Sequence, residues 1–126
     1  MIIKQLSVFL QNESGRLVNV TDILHQSDIN ISALSIAETE EYGILRMIVS
    51  DTDKAAEALR AADYKVKISD VICIVTPDIP GALSGALKTL AEAGIDVSYM
   101  YGYSSDGKAR LVIKTSDPGE ASRLLD

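Results

Sequence analysis

Two short loops hold the residue types with the most chemical content. One reads Asn12-Glu13-Ser14-Gly15-Arg16-Leu17, the other Asp78-Ile79-Pro80-Gly81-Ala82-Leu83. A glycine at a strand-to-helix turn lets a ligand come close to the backbone, and free amides at a helix N-terminus attract a carboxylate. The amide or carboxylate side chain three residues earlier accepts hydrogen bonds from an ammonium group. Together these features suit a zwitterion. The same residues also have a purely structural reading, in which Asn12 and Asp78 cap a helix and the glycines only make the turn. A second pair, Ile29-Asn30-Ile31 and Ile95-Asp96-Val97, sets a polar residue between aliphatics at a helix-to-strand junction. That pattern fits either a ligand contact or turn chemistry.

Both features occur twice because the chain is a duplication. Residues 69–126 align on residues 3–60 with a shift of 66 and no gap, and ten of the 58 pairs are identical. Among them are Gly15/Gly81, Leu24/Leu90, Ser50/Ser116 and Asp51/Asp117. A period of this length is too long for a solenoid repeat and fits two small domains of one fold. The expected division is residues 1–68 and 69–126. A unit of this size buries little apolar surface alone, so the halves should pack on each other or on a second chain.

The elements that must position these loops follow from periodicity. Leu6, Val8 and Leu10 alternate as a strand, and Leu17, Val20 and Leu24 share a helix face. Strands are expected over Ile31 to Ala37 and Gly43 to Ser50, joined by a hairpin connection over Glu38 to Glu41. Asp51-Thr52-Asp53 opens a second helix with Ala55, Ala58, Leu59 and Ala62 on one face. Tyr64 to Ile68 alternates as a fourth strand. The second half repeats the plan: a strand over Val71 to Thr76, and a helix with Pro80 at its start and Gly94 at its end. A strand over Ile95 to Tyr103, the hairpin signal Asp106-Gly107 and a strand over Ala109 to Thr115 follow, then a helix from Pro118. The counterpart of the Tyr64 to Ile68 strand is missing, so either residues are absent or another segment fills its place. The order strand-helix-strand-strand-helix-strand makes the fold class α+β. It gives two ferredoxin-like βαββαβ units, each an antiparallel sheet with helices on one face.

These motifs resemble the ACT domain: a loop Asn or Asp, a Pro/Ser-Gly-x-Leu helix start, and an Ile-Asn/Asp-Ile/Val strand start. The resemblance covers both halves. It implies a stand-alone, non-catalytic regulatory protein of amino-acid metabolism, binding a free amino acid where ACT domains pair. In such pairs the loop of one domain faces the second-strand start of its neighbour. Carried over residue by residue, the ligand-facing positions are Asn12, Ser14, Gly15, Leu17, Asn30 and Ile31 in the first copy. Asp78, Pro80, Gly81, Leu83, Asp96 and Val97 are those in the second. The first copy departs from the pattern with Ser14 where the second has Pro80, and with Arg16 beside its glycine. Arg16 either clamps an acidic side chain or is simply solvated.

Composition narrows the partners. The net charge is −6 with no basic cluster, which counts against nucleic acid and anionic membranes. No apolar run is long enough to span a bilayer, and the start lacks a secretory pattern. The single cysteine, Cys73, excludes an internal disulfide and fits a reducing cytoplasm. His25 has no ligand cluster at metal spacing, and no phosphate, nucleophile or zinc motif is present, so neither metal nor cofactor is expected. Tyr99, Tyr101 and Tyr103 share a sheet face with Phe9, Ile48, Cys73, Val75 and Val112. That face is too apolar for open solvent, and a homodimer through it is expected. Two other classes remain: an interaction module without ligand, and an acylphosphatase-like hydrolase of the same fold, for which Arg16 is the one supporting residue.

Overall fold

The computed structural model describes residues 1–11, 13–38 and 42–126. The elements run β1 (Ile2–Gln11), α1 (Arg16–Gln26), β2 (Ile31–Glu38), β3 (Tyr42–Val49), α2 (Thr52–Ala61), β4 (Lys65–Pro77), α3 (Ala82–Glu92), β5 (Val97–Ser105), β6 (Lys108–Thr115) and α4 (Pro118–Leu125). Of the hairpin connection expected over Glu38 to Glu41, residues 39–41 lie outside the described residues. Two compact units form: Lys4–Ser69, and Asp70–Asp126 with Met1–Ile3.

In the first unit the strand order is β2-β3-β1-β4, and the pairings of β3 with β1 and β2 are antiparallel. Leu6, Val8 and Leu10 of β1 and Leu45, Met47 and Val49 of β3 point to one side. There they pack on Val20 and Leu24 of α1 and on Ala55, Ala56 and Leu59 of α2. Burying these side chains contributes roughly 1.5–3 kcal/mol for each large aliphatic. Ala56, not Ala62, completes the buried face of α2, and Ala62 is its exposed C-cap.

The second unit repeats this register with the shift of 66. Leu6↔Met47 and Val8↔Leu45 become Ile72↔Ile113 and Ile74↔Leu111. Both β2 and β5 carry an irregularity at the same place, between Ile31 and Ala33 and between Val97 and Tyr99. The identical serines and aspartates act locally. Ser50 and Ser116 accept from the Asn30 and Asp96 amides through Oγ at 2.9 and 3.0 Å. Asp51 and Asp117 cap α2 and α4, each accepting from a backbone amide at 3.1 Å.

Two expectations are corrected. Instead of separate strands over Tyr64 to Ile68 and Val71 to Thr76, β4 runs unbroken through Ser69 and Asp70. Neither residue there forces a turn, and the extended backbone simply continues. The place beside β4 in the second unit is held by Met1–Ile3, where the Cys73 amide donates to the Met1 carbonyl at 2.8 Å. Leu17 and Leu83, expected on the buried helix faces, are 39% and 41% exposed. Each lies in the first turn of its helix, ahead of the residues that meet the sheet.

Candidate functional site

Gly15 and Gly81 open α1 and α3 with φ of 84° and 90°, the left-handed region that glycine adopts without strain. A Cβ at either position meets nothing within 4 Å, so the backbone conformation, not crowding, calls for glycine. Among the described residues neither helix start receives a side-chain cap. The Arg16 and Ala82 amides donate to the Glu13 and Ile79 carbonyls. The next two amides of each first turn have no backbone acceptor among the described residues and are backed by the positive end of the helix dipole. This separates them from α2 and α4, whose starts are closed by Asp51 and Asp117. Asp78 does not cap α3; its backbone amide donates to the Gly107 carbonyl at 2.9 Å. Asn12 lies outside the described residues.

The loop residues Ser14, Gly15, Asp78, Pro80 and Gly81 are all exposed. So are Asn30 and Asp96, whose backbones are pinned by Ser50 and Ser116 while their side chains make no hydrogen bond among the described residues. Ile31 is half-buried and Val97 exposed.

Within one unit, however, the two halves of the candidate site stand apart. β1 ends at Gln11 beside Tyr42, whereas β2 starts at Ile31 beside Val49. Val49 lies seven steps along β3 from Tyr42, about 23 Å at the rise of a strand. The second unit repeats the separation, with Pro77 beside Lys108 and Val97 beside Thr115. A single unit brings Leu17 to Gly15 and Leu83 to Gly81, but brings neither loop to its own Asn30 or Asp96. A ligand touching both kinds of residue requires a loop from one ACT-like unit and a strand start from another.

Arg16 is not merely solvated. One terminal nitrogen donates to Gln11 Oε1 at 3.2 Å and to Glu13 Oε2 at 3.0 Å. The neighbouring Tyr64 hydroxyl, then the charge of Glu13, holds its pKa above the ordinary arginine value. Tyr64 is itself fixed, with its hydroxyl accepting from Asn19 Nδ2 at 2.6 Å. Beside this group an open cavity of about 610 Å³ lies between residues 9–11, Arg16 and residues 62–65. Sequence reasoning missed it, although Lys65 and the Asp63-Tyr64 turn were visible as polar residues flanking a strand.

Among the described residues no cluster of three or more His, Cys, Asp and Glu side chains has metal-binding geometry. No described helix is long and apolar enough to cross a membrane.

A family model described as an ACT domain pair matches residues 1–125. No curated protein matches the chain. A solved structure of a protein from Bacteroides thetaiotaomicron is 46% identical, covering 99% of this chain and 87% of its own, with a TM-score of 0.94. The ligand-free regulatory subunit of aspartate kinase from Thermus thermophilus is 15% identical over 98% of this chain and 94% of its own, with a TM-score of 0.68. E. coli aspartokinase III, solved with lysine and aspartate, is 15% identical over 98% of this chain and 30% of its own, with a TM-score of 0.59. The last two likenesses show a shared fold.

Proposed function

Because the chain belongs to the ACT domain pair family, a family of regulatory modules, we propose that it is a non-catalytic regulator that binds a free amino acid. The observation that carries this reading is the repeated helix start behind a left-handed glycine, at Gly15 and again at Gly81, with no cap from a described side chain. Such a start offers several amides to one carboxylate. The ammonium end goes to oxygens of Asn12, Asn30, Asp78 or Asp96, and the exposed Leu17, Leu83, Ile31 and Val97 supply apolar walls. Since a loop and its own second-strand start are far apart, the site is completed by another ACT domain facing the loop.

Residues 1–68 and 69–126 are then two copies of one binding domain, working in the cytoplasm on an enzyme of amino-acid metabolism. The regulator assembles as a homodimer through the apolar sheet face of the second copy. Occupancy shifts the balance between arrangements of ACT domains by the difference in affinity for them. Arg16 alone supports no hydrolase: Glu13 pairs with it, and that like charge disfavours a phosphate dianion far more than a singly charged carboxylate.

Aspartokinase III is described in complex with lysine and aspartate, but a shared fold at 15% identity does not name the amino acid here. A thermal-shift screen of the intact protein across the twenty amino acids tests the reading. A ligand at about 100 times its Kd adds roughly 2.7 kcal/mol of stability, and one or a few amino acids should raise the melting temperature by several degrees. A flat response to all twenty would remove amino-acid binding and leave an interaction module without ligand.

A further inference from the structure

The cavity beside Arg16 belongs to the first unit alone. Where that unit has Phe9, Leu10, Gln11 and Arg16, the second has Val75, Thr76, Pro77 and Ala82, with neither ring nor cation. We propose that this cavity binds a small carboxylate with an apolar body, the carboxylate held by Arg16 and Lys65.

Arg16 is pre-oriented by Gln11 and Glu13, so little side-chain freedom is lost when an anion arrives. Lys65 stands with Nζ 5.9 Å from the centroid of the Phe9 ring and makes no hydrogen bond or ion pair among the described residues. Its three donors are therefore open to a ligand. Phe9, Leu10 and Ala62 supply the apolar surface. Glu13 already pairs with Arg16, so the charges left open at the cavity are Lys65 and Asp63, and Lys65 is the cation that meets an incoming carboxylate. Asp63 sits in the turn with φ of 68° and offers an oxygen pair to an ammonium group. The carboxylate therefore comes from either of two sources, a simple organic acid or an amino acid. Arg16 is the first residue of α1, so the cavity adjoins the helix start at Gly15, but its anion meets the Arg16 and Lys65 side chains and not the helix amides.

The test is an amide NMR titration of the intact protein with three probes of one shape: 4-methylpentanoate, leucine and isoamylamine. Both carboxylates should move the amide signals of Gln11, Tyr64 and Lys65, and isoamylamine should leave them in place. Tighter binding of leucine assigns the site to amino acids through Asp63, and tighter binding of 4-methylpentanoate assigns it to organic acids. Lys65→Ala should weaken carboxylate binding roughly tenfold, as expected for one lost charge-assisted hydrogen bond, and Lys65→Arg should restore it. Amine shifts equal to the carboxylate shifts, unchanged affinity in Lys65→Ala, or leucine shifts confined to the Gly81 region would each overturn the proposal. The last result would still leave amino-acid binding at the helix starts intact.

Discussion

On the sheet face turned away from the helices, the first unit carries Gln5, Ser7, Ser35 and Arg46. The second carries Val71, Cys73, Tyr101 and Val112 at the same four positions. In the first unit the buried Gln5 donates to Ser7 Oγ at 3.3 Å, and Arg46 lies beside Ser7 in the ladder. In the second, Val71 is fully buried while Val75 and Tyr103 are 51% and 56% exposed. The helix-facing sides differ in the opposite sense. The first core is wholly apolar, and the second admits Thr115 and Ser122 where the first has Val49 and Ala56. What stays constant is the set of residues that fix backbone: the two left-handed glycines, the two serines below the second strands, and the two capping aspartates. Duplication has kept the frame and let the surfaces diverge, so each copy is free to meet a different partner.

The largest effects should show that the frame is shared. Leu24 and Leu90 are equivalent and buried, and Leu→Ala at either should cost roughly 2–5 kcal/mol in urea unfolding. A loss at one site and none at the other would break the equivalence of the two cores. Next come the glycines. Ala at Gly15 or Gly81 meets no atom but must hold a left-handed backbone, and each change should cost roughly 1–2 kcal/mol. A neutral result would mean the turn relaxes freely.

Thr115 sharpens the contrast between the cores. Its Oγ1 is buried and has no hydrogen-bond partner among the described residues, and the first unit holds valine there. Thr115→Val should stabilise by about 1 kcal/mol and the reciprocal Val49→Thr should destabilise by at least as much. The smallest effect is electrostatic. The amino terminus and Ser122 hold the Asp126 carboxyl below its usual range, and Arg123 does the same for Glu120. Both groups are exposed. Their contribution is complete above the ordinary carboxylate range and is lost as pH falls through the lowered folded values, so acid should weaken the second unit slightly. Asp126→Asn should flatten that slope in an acid titration followed by circular dichroism.

Much of this frame is legible in the chain before folding. Alternation at Leu6, Val8 and Leu10 marks the strand β1, and Asp106-Gly107 marks the hairpin between β5 and β6, realised with both residues at positive φ. The glycines and polar residues of the helix starts are legible because only a few residue types suit those backbone positions. Less visible is anything set by what surrounds an element. Ser69-Asp70 looks like a break between repeats, yet the ladder carries β4 straight through it. Leu17 and Leu83 have core periodicity, but periodicity gives a direction around the helix and not how far along it the sheet extends. The cavity between Arg16 and Lys65 joins residues some fifty positions apart in sequence, and no local pattern announces such a meeting.

Amino-acid recognition by the duplicated helix starts is what gives the two copies their common role. Titration calorimetry of the wild type, Gly81→Val and Asp96→Ala, with the amino acid that gives the largest thermal shift, tests it most directly. Gly81→Val adds a β-branched side chain at a left-handed backbone position where the ligand must approach, and Asp96→Ala removes a charge-assisted hydrogen bond worth roughly 1.5–3 kcal/mol. Affinity should fall by about tenfold or more in both variants. Wild-type affinity in both, for an amino acid that does bind, would contradict the claim and leave these loops as turns alone.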